Sequence, residues 1–107
     1  IRFWLIRIGL QDGLLLGPLA VRNDLRGHGL GSTLINYSLK CAKLKNFNFC
    51  FVSGEEDYYP KFGFQKIDSN KLILPGYIDP KRLHIIFLKK QIIDLMGEYP
   101  WKIIPQN

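Results

Sequence analysis

The apolar and polar positions divide this chain into short segments. Residues 2–8, Arg-Phe-Trp-Leu-Ile-Arg-Ile, read as a strand. Gly9 to Gly13 carries Gln11-Asp12-Gly13, a turn signal between apolar runs, and Leu14 to Val21 reads as a second strand. Gly17-Pro18 inside that strand predicts a bulge or local splay, because Pro cannot donate to a ladder. From Ser32 to Lys45 the apolar residues fall at 34, 35, 39, 41, 42 and 44, a helical stripe with Lys40, Lys43 and Lys45 on or near its far side. Phe47 to Val52 is nearly continuous apolar sequence, as in a strand covered on both faces. Glu55 to Phe62 predicts a short helix with acids in its first turn and Gly63 at its C-cap. Phe64–Ile67 and Leu83–Leu88 predict further strands, with the short apolar run Leu72-Ile73-Leu74 and then Pro75-Gly76 between them. Residues 91–96 suit a helical turn or two, and Pro100 and Pro105 suggest an irregular end. The pattern is an α/β fold, a mixed sheet with flanking helices.

Length and composition narrow the picture. The chain has 107 residues, 47% hydrophobic and 22% charged, which suits one globular domain and excludes a disordered chain. Charge or Gly breaks every long apolar run, so no membrane span is expected, and the start lacks the pattern of a secretory signal. Cys41 and Cys50 form no CxxC pair and have no His at metal-ligand spacing, so no metal is expected. Reduced thiols in a cytoplasmic protein are the expectation, with Cys50 acting as a small hydrophobe. The net charge of +6 points to an anionic partner of unspecified kind.

Candidate chemistry gathers where the second strand gives way to the long helix, at Arg26-Gly27-His28-Gly29-Leu30-Gly31. Glycines let backbone approach a ligand closely. The unpaired amides and dipole of the helix start favour an anion. Physics alone reads this as a phosphate cradle, or else as a plain tight turn. A Walker A loop needs a Lys before its final Ser or Thr, and Gly31-Ser32-Thr33 has none. The dinucleotide fingerprint needs G-x-G-x-x-G, whereas the spacing from Gly27 is G-x-G-x-G.

The loop Arg26-x-x-Gly29-x-Gly31 after Leu19-Ala20-Val21 resembles the signature of GNAT acetyltransferases. Tyr58-Tyr59-Pro60-Lys61-Phe62-Gly63-Phe64 is similar to the family's Tyr-x-x-x-Gly-Phe. The stretch 15–21, Ser53-Gly54, Leu74-Pro75-Gly76 and 79–83 resemble the YhbS-like branch, so the likeness covers residues 14–88. It implies a single GNAT-like domain over 1–107, with an acetyl-CoA-binding core at 14–67. Much of the family's N-terminal portion, which shapes the acceptor site, is missing. The resemblance gives the pyrophosphate to Arg26, Gly27, His28, Gly29, Leu30, Gly31 and Ser32, mostly through backbone. It gives the pantetheine arm to the strand at Leu19, Ala20 and Val21, where a backbone N–H would also face the developing oxyanion.

In the family, an amine attacks the thioester directly and a tyrosine protonates the departing thiolate. Tyr59, four residues before Gly63, matches that tyrosine, and a phenol carries its proton at neutral pH. The implied function is N-acetyl transfer from acetyl-CoA to an amine, small-molecule or peptide, without a metal. The rival is a non-catalytic coenzyme A-binding or assembly module. RNA binding rests only on charge and on Lys61-Phe62-Gly63-Phe64, an incomplete RNP1 core, so no nucleic-acid partner is expected. Other residues have structural readings: Tyr58 and His84 as packing, Glu55-Glu56-Asp57 as a helix start, and Trp4, Phe87 and Trp101 as core or interface. His28 could be a base, but its place in the loop favours backbone binding. The Asn that follows this strand in many family members has no counterpart here. A short sheet would also expose an edge, so Phe3, Trp4 and Ile6 are expected to be covered by a second copy in a dimer.

Overall fold

The computed structural model describes residues 3–16, 30–54, 56–76, 83–90 and 92–106. Its first element is a hairpin of β1 (Phe3–Ile8) and β2 (Gln11–Leu16), with Ile8 opposite Gln11. The loop is therefore Gly9-Leu10, and Gly9 has φ 58. A positive φ at the first loop residue is the place that a two-residue hairpin reserves for Gly. The turn thus lies at the start of the expected Gly9–Gly13 region, and Gln11-Asp12-Gly13 is already strand. Asp12 faces Arg7 across the hairpin and accepts a 2.8 Å hydrogen bond from its Nε. Gly13 lies opposite both Ile6 and Phe49.

Helix α1 (Leu30–Leu44) follows, close to the predicted 32–45. It buries Ile35, Ser38, Leu39 and Ala42, one stripe at i, i+3, i+4 and i+7. Ser38 donates to the carbonyl of Leu34 at 2.7 Å, which satisfies its buried hydroxyl inside the helix. The helix ends on Asn46 at φ 64. There Asn46 N–H donates to Lys43 and Phe47 N–H to Ala42, the paired bonds of a left-handed C-terminal cap. That cap turns the chain directly into β3 (Phe49–Ser53).

β3 is the middle of the sheet. Phe49, Cys50, Phe51 and Val52 are all buried, as the continuous apolar run requires. β3 runs parallel to β2, from Gly13–Phe49 to Leu16–Val52, and antiparallel to β6 (Leu83–Phe87). With β4 (Gln65–Lys66), β5 (Leu72–Ile73) and β7 (Trp101–Pro105), the order is β4-β6-β3-β2-β1-β7-β5. The single helical turn α2 (Ile92–Leu95) lies before β7.

Two cores flank this sheet. On one side Leu14, Leu16, Cys50, Val52 and Phe64 pack with the buried face of α1. On the other, Ile6, Ile8, Leu15, Phe49, Phe51 and Ile85 pack with Ile92, Met96, Trp101 and Ile103.

β7 overturns two expectations. The C-terminal segment is a strand, not an irregular end: Trp101 and Ile103 point into the core while Lys102 and Ile104 face out. Pro105 sits at its last position, where a missing donor costs least. β7 pairs with β1 from Ile6–Pro105 to Ile8–Ile103, and Gln106 N–H donates to Leu5. β1 is therefore not the sheet's edge. Ile6 is 1% exposed and is covered by this chain's own core, so it is not free for a second copy. Phe3 and Trp4 remain 47% and 36% exposed.

Gly13 makes the central packing possible. A Cβ placed there would lie 2.2 Å from Cε2 of Phe49, a fully buried ring. Gly13→Ala is expected to destabilise the chain by about 1–3 kcal/mol through overpacking. A lowered urea midpoint with an unchanged slope would show this; an unmoved midpoint would mean that the ring has room to shift.

Candidate functional site

Parallel strands cannot be joined by a tight turn, so β2 must reach β3 through a crossover, and α1 is that crossover. Such a helix starts where the first strand ends. The first turn of α1 therefore stands at the C-terminal edge of β2 and β3, the edge where open α/β sheets bind ligands. The amides of Leu30, Gly31 and Ser32 belong to that turn and have no acceptor within the helix. No acidic side chain lies in the turn, so the positive end of the dipole stays uncompensated from within the helix.

The chain leaves β3 through Ser53 and Gly54 and then forms a 3₁₀ turn, Tyr59–Phe62. The helix predicted over 55–62 is limited to this turn. Pro60 removes one backbone donor and disfavours helical backbone at the residue before it. Gly63 closes the turn at φ 97, as its predicted C-cap role requires, and donates to the Pro60 carbonyl at 3.0 Å. Ahead of the turn, Glu56 pairs with Lys66 on the surface, tying this segment to β4. The pairing raises the Lys66 pKa through the hydrogen bond and charge of Glu56. It also leaves Glu56 an ion-pair partner rather than a helix cap.

Tyr59 is the only residue of this turn to be buried, at 6% exposed. Its ring meets Tyr58 edge-on at 5.1 Å and Phe64 edge-on at 5.9 Å. It also meets His84 at 5.8 Å, tilted by 41°. The phenol end rests on Gly54, where a Cβ would stand 2.1 Å from Cε2 and 3.0 Å from the hydroxyl oxygen. The tyrosine is thus seated against the backbone that immediately follows β3. A helix N-terminus and a buried phenol share one edge of the sheet, an arrangement suited to an anion at one point and a proton donor at another.

No protein-family model matches the sequence. Over 66 residues, 62% of this chain and 34% of the relative, it is 35% identical to the uncharacterized N-acetyltransferase YjhQ of Escherichia coli K12. The fold matches the GNAT family N-acetyltransferase YhbS of Escherichia coli, solved in complex with CoA, with TM-score 0.74 and 19% identity. That match covers 97% of this chain and 57% of YhbS. The chain has the GNAT fold. A GNAT family acetyltransferase of Brucella melitensis, solved with acetyl-CoA, matches at TM-score 0.61 and 20% identity over 95% of this chain and 54% of its own. The chain spans about a third of YjhQ and a little over half of the two solved structures.

Of the predicted cofactor residues, Leu30, Gly31 and Ser32 lie in the first turn of α1. Leu19, Ala20, Val21, Arg26, Gly27, His28 and Gly29 lie outside the described residues, as do the Gly17-Pro18 splay and Glu55. β2 and β3 are still paired at Leu16–Val52, the last described pair. Among the described residues, no three His, Cys, Asp or Glu side chains gather as metal ligands, and no helix is long and apolar enough to cross a membrane. Sequence reasoning missed Gly54 as the seat of Tyr59. Only the pair Ser53-Gly54 at the strand end hinted at it.

Both described cysteines are free, and they differ in setting. Cys50 lies under α1, and burial pushes its thiol up to about 12. An unfolded thiol ionises near 8.5, so stability owed to Cys50 is full below about that pH and falls as pH rises towards the folded value. A thiol reagent at about pH 8 should modify Cys41 alone in the folded chain and both cysteines after denaturation. Mass spectrometry showing native modification of Cys50 would contradict this burial.

Proposed function

We propose that this chain binds acetyl-CoA at the β2–α1–β3 edge and transfers its acetyl group to an amine. The observation that carries the reading is Tyr59, seated on Gly54 beside the strand ends that face the first turn of α1. YjhQ's name and the CoA and acetyl-CoA complexes of the two solved neighbours support it. The residues present fit the cosubstrate: uncompensated amides for a pyrophosphate, and a buried phenol for a leaving thiolate.

In this reading the backbone of Gly27 to Ser32 holds the pyrophosphate, with Arg26 adding charge. The backbone of Leu19 to Val21 aligns the pantetheine arm and faces the carbonyl oxygen. The amine nitrogen bonds to the acetyl carbon, the carbon–sulfur bond breaks, and the nitrogen loses a proton. Tyr59 gives its hydroxyl proton to the departing sulfur and recovers one from solvent, leaving an amide and free coenzyme A. The acceptor is an amine, small-molecule or peptide, and the setting is cytoplasmic, with Cys41 and Cys50 reduced. Self-association through the half-exposed Phe3 and Trp4 belongs to the same reading. A strict monomer in sedimentation at micromolar concentration would remove that element alone.

The test is calorimetric titration of acetyl-CoA into the wild-type chain and into Gly29→Asp and Gly31→Asp, followed by thioester turnover on an amine panel. Wild-type binding that either aspartate abolishes is expected, because a carboxylate at the cradle repels the pyrophosphate. Tyr59→Phe should keep the binding and lower kcat by about 10²–10⁴-fold. Binding with no turnover on any amine would identify a non-catalytic coenzyme A-binding module instead. No binding by a folded chain would end the reading.

A further inference from the structure

We infer that His84 is the positioning residue for Tyr59, an inference that rests on the reading of Tyr59 as proton donor. His84 lies on β6 in register with Val52 on β3 and Lys66 on β4. Paired residues share a face, so His84 lies on the same side of the sheet as Val52, the side covered by α1. It is 1% exposed. The other buried polar residue described is Ser38, which is satisfied within α1.

What distinguishes this position is its neighbour. The imidazole stands 5.8 Å from the Tyr59 ring at a 41° tilt, an aromatic pair in the range where ring geometry matters. Tyr58 and Phe64 meet the same ring nearly perpendicularly, at 87° and 78°. Gly54 backs its hydroxyl end. The Tyr59 ring thus meets three rings and Gly54, and of these neighbours only His84 lies within a sheet strand, β6, which pairs with β3. Tyr58 and Phe64 lie in the same segment of chain as the 3₁₀ turn. His84 therefore ties the orientation of Tyr59 to the rigid sheet, which a proton donor acting at a fixed sulfur requires.

A residue acting through Tyr59 leaves a distinct kinetic signature. His84→Ala should lower kcat by about 10–100-fold, the scale of a small misplacement, while acetyl-CoA affinity stays within about twofold. In a Tyr59→Phe background, His84→Ala should lower kcat no further. His84→Phe restores a ring against Tyr59 and should recover most of the loss. The Cζ resonance of Tyr59, assigned with ¹³C-tyrosine and Tyr59→Phe, should move in His84→Ala and return towards the wild-type position in His84→Phe.

Equal kcat losses in the wild-type and Tyr59→Phe backgrounds would overturn the inference, as would an unmoved Tyr59 resonance in His84→Ala. If His84→Ala does not fold, His84→Phe decides: a folded variant with a displaced resonance also overturns it. If the wild-type chain shows no turnover at all, the proposed function fails, and the resonance still reports whether His84 places Tyr59.

Discussion

The parallel pairing of residues 13–16 with residues 49–52 is the constraint on which the rest of this structure depends. A parallel pair demands a crossover, and the crossover is α1. Its buried face fills one side of the sheet, and its N-terminus is delivered to the C-terminal ends of both strands. The same pairing makes β3 central and forces its side chains to be apolar on both faces. It also brings Phe49 over the backbone of β2, where only Gly13 leaves room for the ring. This edge is thus a product of strand direction: antiparallel β2 and β3 would need no long crossover helix between them.

Two glycines have the same role on opposite faces. Gly13 admits Phe49 into one core, and Gly54 admits Tyr59 to the margin of the other. Neither is needed for a positive φ; Gly9 and Gly63 serve that purpose. What Gly13 and Gly54 share is close approach between an aromatic ring and backbone, a contact that limits how the ring can lie. At Gly13 the result is packing. At Gly54 it is a phenol held at the ligand edge.

How much of this was legible in the sequence depended on whether the decisive contact was local. The stripe of α1, the continuous run of β3 and the Gly63 cap are each written within a few residues, and the structure has them. So is the pairing of two ordered motifs that pointed to the GNAT type. β7 was misread because Pro100 and Pro105 outweighed the alternation of Trp101, Lys102, Ile103 and Ile104. That misreading carried over to Ile6, which was assigned to a partner copy because its true cover lies almost a hundred residues away. Pro60 was visible, yet its effect in shortening a helix to a 3₁₀ turn was underweighted. The Tyr59–His84 contact joins segments with no shared local pattern, so His84 read only as a strand residue.

This difference explains why the two halves of the site differ in how far they can be argued. The proposed anion cradle depends on backbone, and backbone roles are announced by glycine spacing and a helix start. The proposed proton donor depends on orientation, set by contacts with the 3₁₀ turn, with Gly54 after β3 and with β6. A tyrosine on a one-turn helix would by itself be poorly held, because so short an element has little intrinsic stability. Here the turn is pinned at both ends, by Gly63 and by the aromatic contacts of Tyr58, Phe62 and Phe64. The sheet then contributes the ring of His84, from β6. In the proposed reading, orientation at this edge therefore involves the sheet as well as the turn, and a substitution on β6 reaches the phenol as directly as one beside it.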